Sequence, residues 1–408
     1  MFNKFCKKQL WECSKELVAT ALGTIPAETV ITNAKLINVC TKEIMDNTDI
    51  AIHSGRIALV GDASHCIGEE TIVIDAQGMY VAPGMLDGHI HIESSMLCPG
   101  EYARAVVPHG TTGIYYDPHE ICNVLGFKGV ELMVKDAERT PLKAMLTVPS
   151  CVPAVPGFEN NGATITSSDI SHQMKMGEVV GLGEMMNFPG IHMGDEEVHA
   201  ITGETLKAGK IITGHYSIPD TGKGLSAYIS SGARCCHEST RAEDALQKMR
   251  LGMYAMLREG SAWHDLKEVC HAITDRKIDS RFAVLVSDDA HPNTLISDGH
   301  LDHIVRRAIS EGIDPIEAVQ MVTINCAQCF QMDHEIGSVT PGKCADIIFI
   351  DDLQSFNVKK VMIDGDVVAE EGKMTITIPP GEFADFAMHW RFKAEQEHWS
   401  VLTTSIKH

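Results

Sequence analysis

Apolar and polar positions divide the chain into a β-rich beginning, a long alternating middle and a β-rich close. Over residues 28–80 the apolar residues come in short runs bounded by turn residues: Thr29–Ile37, Asp49–His53, Arg56–Val60 and Thr71–Asp75. The Ser54-Gly55 pair between the second and third runs predicts a hairpin. A matching stretch, residues 337–374, carries strand-like runs at Asp346–Ile350, Lys360–Ile363 and Val367–Ala369, with an Asp364-Gly365 turn. Two such segments flanking a long middle predict one small β-sandwich built from both ends. Between them, strand-like runs (Tyr80–Leu86, Thr111–Tyr116, Lys143–Val148, Val179–Glu184, Lys210–Thr213, Gly232–Cys236, Gly252–Ala255 and Phe282–Ser287) alternate with helical stretches (Pro99–Val107, Gly126–Ala137, Asp195–Ala208, Arg241–Arg250, Ala262–Ile273). Eight strands alternating with helices predict a (β/α)8 TIM-like barrel, so the fold class is α/β with a small flanking β-sandwich. The expected limits are an N-terminal amphipathic helix over 1–27, the sandwich over 28–82 plus 333–375, the barrel over 83–332 and a helical tail over 376–408. That tail carries Phe383, Phe386, Trp390, Phe392 and Trp399 and is expected to dock as a helix.

In such a barrel the chemistry sits at the C-terminal ends of the strands. Strand one runs into His89-Ile-His91, and residues i and i+2 of a strand share a face, so two imidazoles stand side by side. Strand four ends in Glu184, strand five in His215, strand six in His237 and strand eight in Asp288-Asp289. A lone histidine near a loop is ordinarily bland. Four histidines and two or three carboxylates at one barrel mouth are not explained by core packing. Imidazole with carboxylate suits zinc, iron or manganese rather than calcium or magnesium. The set is too large for one tetrahedral ion with an open position, so a two-metal site bridged by Glu184 is expected. Two divalent cations lower the pKa of a bridging water enough to give hydroxide at neutral pH. The reaction class is then attack of hydroxide on an electrophilic carbon, with Asp288 as ligand and proton acceptor.

Composition narrows the picture. The 408-residue chain is 44% hydrophobic, enough for a large core, and carries a formal net charge of −21, which argues against nucleic-acid partners. No 18-residue apolar run predicts a membrane span, and the N-terminal stretch lacks the apolar core of a signal peptide. Thirteen cysteines without framework spacing predict reduced thiols and a cytoplasmic protein. Cys326-x-x-Cys329 falls in a helical pattern and is expected to pack in the core. Adjacent Cys235 and Cys236 point opposite ways on a strand. His91-x-Glu93 lacks the Pro-Cys-x-x-Cys of the zinc nucleobase deaminases, and Thr221-Gly-Lys-Gly224 is not a P-loop.

Longer motifs carry a resemblance. Pro83-Gly-Met-Leu-Asp-Gly-His-Ile-His-Ile-Glu-Ser-Ser95, Pro108-His-Gly-Thr-Thr112, Asp117-Pro-His-Glu120 with Asn123-Val-Leu-Gly126, Pro149-Ser-Cys-Val-Pro153, Gly183-Glu-Met-Met-Asn187, Gly214-His215, and Ser287-Asp-Asp-Ala-His-Pro292 with Gly299-His-Leu-Asp302 resemble the adenine deaminases of the amidohydrolase superfamily. The resemblance runs from about residue 28 to 375. It implies hydrolysis of adenine to hypoxanthine and ammonia at a binuclear iron or manganese site, with zinc the third candidate. A glutamate at strand four, where other superfamily members carry a carbamylated lysine, agrees with the adenine deaminase pattern. Carried over, the metal ligands are His89, His91, Glu184, His215, His237 and Asp288. Asp117 is expected to hydrogen-bond purine N–H groups, His119 and Glu120 to transfer protons, and Glu93 and Ser94 to orient His89 or His91. The rival expectations are another amidohydrolase reaction, cyclic-amide hydrolysis or N-deacetylation, and a weakly active metal-binding descendant. The family generally continues past the second β-segment into a further region. The expected partner is a small purine, and the expected assembly a homodimer.

Overall fold

The computed structural model describes residues 5–381. The expected helix over the tail lies outside the described residues. Two nine-stranded sheets organise the chain.

The first is a mixed sheet assembled from both ends. Thr29–Asn38, Glu43–His53, Arg56–Gly61, Ile72–Asp75 and Tyr80–Pro83 come from the first β-segment, and Ile347–Ile350, Val358–Ile363, Asp366–Glu370 and Lys373–Met374 from the second. The segments join where Ile347–Ile350 pairs antiparallel with Tyr80–Pro83. The strands form one continuous ladder, and Ile50, Ile52, Ile57, Val81, Ile347, Phe349 and Met362 share one buried core, which fits a flanking β-sandwich. The helix Leu10–Ala21 covers this sheet with Cys13 and Leu17 against Ala58, leaving Trp11 and Val18 exposed.

The second sheet is the barrel. Its parallel strands are Met85–His91, Thr111–Tyr116, Lys143–Val148, Val179–Met185, Ile211–Gly214, Ala233–Cys236, Tyr254–Arg258 and Ala283–Val286, followed by the two-residue strand Asp288–Asp289. That last piece pairs with the first strand, Asp288 opposite Ile90 and Asp289 opposite His91, and closes the barrel.

Three expectations are corrected. The run Tyr80–Leu86 is two strands, because the chain passes from sandwich to barrel at Gly84. A Cβ there would lie 2.2 Å from Thr112 Oγ1, so only glycine allows the passage. Strand seven does not stop at Ala255; its pairing with strand eight continues to Arg258 opposite Val286. The thiols are not all reduced: Cys6 and Cys344, 338 residues apart in sequence, form a disulfide with a Cα–Cα distance of 6.4 Å, while the other eleven cysteines are free. The N-terminal segment brings this pair together by lying along the sheet, which linear spacing cannot reveal.

Below the mouth the barrel interior is apolar. Leu86, Tyr115, Met145, Val180, Ile211, Cys235, Met256, Val284 and Val286 fill it, and the short helix Ile324–Cys329 plugs it with Cys326, Cys329 and the following Phe330. Tyr115 stacks on Phe330 at 3.6 Å between ring centres. Both cysteines of Cys326-x-x-Cys329 are core residues, as their helical setting implied. No helix among the described residues is long and apolar enough to cross a membrane.

Candidate metal centre

The period of two along a strand delivers functional side chains from the same face as the apolar plug. One step beyond Tyr115 stands Asp117, and beyond Cys235, His237. Beyond Met256 stands Arg258, and beyond Val286, Asp288. Asp288 has a left-handed backbone (φ 62°), and this kink separates the last two strand pieces. Aspartate is among the few side chains that visit this region readily, at modest cost.

The six predicted ligands converge. His89 Nε2 and His91 Nε2 each lie 3.4 Å from Asp288 Oδ1. His215 Nδ1 lies 2.5 Å, and His237 Nε2 3.1 Å, from Glu184 Oε2. The other glutamate oxygen, Oε1, lies 3.4 Å from His91 Nε2. Glu184 therefore faces one histidine group with each of its oxygens. His89 stacks on His237 with ring centres 3.9 Å apart, so the two groups adjoin. All except His215 are buried.

The donor set fits two cations. His91 Nδ1 is engaged by the carbonyl oxygen of Asp117 at 2.8 Å, which orients the ring and leaves Nε2 free to ligate. His89 Nε2 is buried without a hydrogen-bond partner. A buried imidazole nitrogen with no partner is costly unless something else meets its lone pair. The triad His89, His91 and Asp288 and the triad His89, Glu184 and His237 each bring their ligand atoms within 4.8 Å of one another.

Electrostatics reinforce the point. Burial alone would raise the Glu184 carboxyl, but hydrogen bonds with His215, His237 and His91 hold it well below the usual range. Burial is likewise outweighed at Asp288, where the neighbouring His237, His89 and His91 imidazoles hold the carboxyl low. His237, desolvated and facing His89, is pushed down to about 4, the neutral state that ligation needs.

Asp117 is fully buried. Its Oδ2 accepts the Glu184 N–H at 2.7 Å, and its Oδ1 has no partner. Gly183 permits this approach: a Cβ there would stand 2.3 Å from Asp117 Oδ2. His119 opens the helix His119–Leu125, with Nδ1 3.3 Å from Glu184 Oε1. Burial and neighbouring His91 push it down to about 3. Glu120, the most exposed carboxylate of the group, lies 3.5 Å from His119 Nε2 and 3.7 Å from His91 Nδ1, and burial raises its carboxyl. Neither Glu93 nor Ser94 touches a ligand imidazole by a hydrogen bond. Glu93 accepts the Ile121 N–H at 3.2 Å, and Ser94 Oγ donates to the His91 carbonyl at 2.6 Å.

Three groups were missed as functional. Asp87 lies under the first strand's ligands. It accepts from Ser287 Oγ at 2.5 Å and from the His89 N–H at 3.3 Å, and it faces His300 Nε2 at 3.2 Å. Glu238 sits beside His237, its Oε1 3.5 Å from His237 Nε2. Arg258 binds both Glu238 and Asp288. Asp87 and His300 stand inside the long motifs, and Arg258 was recoverable by carrying strand seven's period of two past Met256.

A closed parallel barrel with histidine and carboxylate at its mouth defines a class, and the chain belongs to the amidohydrolase family, whose family model matches residues 80–368. Within that class its relatives are adenine deaminases. Two from Clostridium botulinum are each 67% identical: strain 657 / Type Ba4 over 389 residues (95% of this chain, 65% of the relative) and strain ATCC 19397 / Type A over 405 residues (98% and 68%). One from Moorella thermoacetica is 53% identical over 383 residues, 94% of this chain and 64% of the relative. The chain thus spans about two thirds of the length of these relatives. Solved structures share the fold at low identity. A β-aspartyl dipeptidase from Fervidobacterium islandicum AW-1 has a TM-score of 0.65 at 18% identity, over 86% of this chain and 98% of that one. An N-isopropylammelide isopropylaminohydrolase from Burkholderia multivorans has a TM-score of 0.61 at 16%, over 85% and 99%.

Proposed function

We propose that the chain hydrolyses adenine to hypoxanthine and ammonia, using two divalent transition-metal ions held by His89, His91, Glu184, His215, His237 and Asp288. The observation that carries this reading is Glu184, whose two oxygens face two separate histidine groups. When bound, the ions supply Lewis acidity that makes water a nucleophile at neutral pH.

The chain's own groups supply the rest. Asp288 Oδ1, beside both first-strand histidines, accepts the proton released as water adds to C6 of the ring. Glu120 delivers a proton to ring N1: it is the carboxyl most open to an incoming base, and burial favours its protonated form. His119, held neutral, bridges Glu120 and Glu184. Asp117 presents its unpaired Oδ1 toward a ring N–H while fixing the Glu184 backbone. The amino group then takes the proton held by Asp288 and leaves the tetrahedral carbon as ammonia, while the remaining C6–OH proton returns to Glu120 as the carbonyl forms.

The reading carries with it manganese or iron as the ions, a free purine base as the small-molecule partner, a homodimer, and the cytoplasm as compartment. One assay tests the core of it: metal content of the purified chain beside ammonia release from adenine and adenosine. About two ions per chain and turnover of adenine but not adenosine are expected. Full activity of metal-free protein, or no adenine turnover with both ions bound, overturns it.

A further inference from the structure

Arg258 ends barrel strand seven, a strand that contributes none of the six proposed ligands. Its side chain is 3% exposed, so its charge is desolvated and every donor matters. Nη1 donates to Asp288 Oδ2 at 2.7 Å and to Glu238 Oε1 at 2.5 Å. On the far side of the guanidinium, Nε and Nη2 both reach Asp265 Oδ2, at 3.0 and 2.8 Å. The Trp263 ring lies 5.2 Å from the guanidinium carbon and covers a face. The planar fork is thereby held on three sides, and Asp265, Glu238 and Trp263, none of them a proposed ligand, fix its orientation.

The consequence falls on Asp288. Its Oδ2 is occupied by Arg258, while its Oδ1 points at His89 and His91. A carboxylate oxygen that accepts a charged hydrogen bond is the poorer metal donor, which favours ligation through the other oxygen. A carboxylate with both free can close on a metal with two oxygens, the mode large, flexible coordination spheres accept. Glu238 stands on the other arm of the same Nη1, beside His237. One guanidinium thus ties the carboxylate of the first histidine group to the neighbour of the second.

We propose that Arg258 is a positioning residue that restricts Asp288 to a single ligating oxygen and sets the spacing between the two halves of the metal centre. It acts through Asp288 and Glu238, not on the substrate. A lysine cannot reproduce it, since one ammonium lacks the fork that meets Asp265 behind and two carboxylates in front.

The proposal rests on the two-metal reading, and its test separates the two. The purified chain and its Arg258→Met and Arg258→Lys variants are loaded with cobalt(II), and uptake, visible d–d spectrum, adenine kinetics and thermal midpoint are recorded. The wild type is expected to bind about two cobalt ions per chain. Arg258→Met is expected to show shifted, weaker bands from a higher coordination number. It should lose about ten- to a hundredfold in kcat with KM within about threefold. Arg258→Lys is expected to restore the thermal midpoint more fully than the spectrum. A wild-type chain that takes up no cobalt overturns the metal reading and this proposal with it. Cobalt uptake with a wild-type spectrum and kcat in folded Arg258→Met overturns the proposal alone. So does a lowered midpoint in that variant with spectrum and kcat per bound ion unchanged, the mark of a merely structural arginine.

Discussion

Glu184 and Asp117 show how one backbone amide links two roles. The Glu184 carboxylate meets four histidines, three of them proposed ligands, while its own N–H is fixed by Asp117. Glu184→Gln keeps the shape but not the charge that draws the imidazoles together. It is expected to lose at least one ion and more than a hundredfold in kcat/KM, beyond the roughly 10–100-fold typical of groups outside the ligand set. Metal analysis with circular dichroism checks this; retained metal with full activity would remove Glu184 as the bridge. Asp117→Ala should cut kcat/KM by roughly ten- to a thousandfold, the loss of a buried charged hydrogen bond. Asp117→Asn keeps an acceptor for the Glu184 amide, so steady-state kinetics on the pair separate charge from backbone support. If both variants match the wild type, Asp117 contacts nothing that reacts.

At the scale of elements, legibility in the sequence followed the strength of the local pattern. Six of the eight barrel strands were placed within a residue or two, whereas the first was set about five residues early because its apolar run starts in the sandwich and crosses into the barrel at Gly84. Strand seven, expected to end at Ala255, runs on through Met256 and Leu257 to Arg258, whose charge is satisfied by acids from other elements. The proposed ligands were legible because each sits at a strand end. The support beneath them was not, since Asp87 meets Ser287 across 200 residues and no spacing announces it. A similar hidden tie joins the two sheets. Lys143 opens barrel strand three and is 3% exposed, with Nζ 2.8 Å from Asp346 and 2.9 Å from Asp364, which flank the sandwich strands. Lys143→Met strands a buried carboxylate and should destabilise the chain by about 3–5 kcal/mol. Denaturant titration measures it, and a change under about 1 kcal/mol would mean that water reaches the carboxylates.

For the whole molecule, the Cys6–Cys344 bond clamps the N-terminal segment onto the sheet far from the barrel mouth. Cys6→Ser should lower the thermal midpoint by removing up to about 5 kcal/mol of constraint on a long loop, while leaving kcat unchanged. Parallel melting and kinetic measurements decide it; an equal fall in kcat would tie that segment to the chemistry. Closure of the barrel has a different dependence. Its joint rests on a two-residue strand, and one of those residues, Asp288, is also a proposed ligand facing histidines on the strand across the joint. An ion held there is a rivet through the seam of the cylinder. Chelation should therefore speed hydrogen–deuterium exchange at residues 90–91 and 288–289 while the pairing of Tyr115 with Met145, further round the wall, stays protected. The barrel would then be sealed by the same cargo it uses to react, and a chain emptied of metal would be an opened sleeve rather than an idle enzyme.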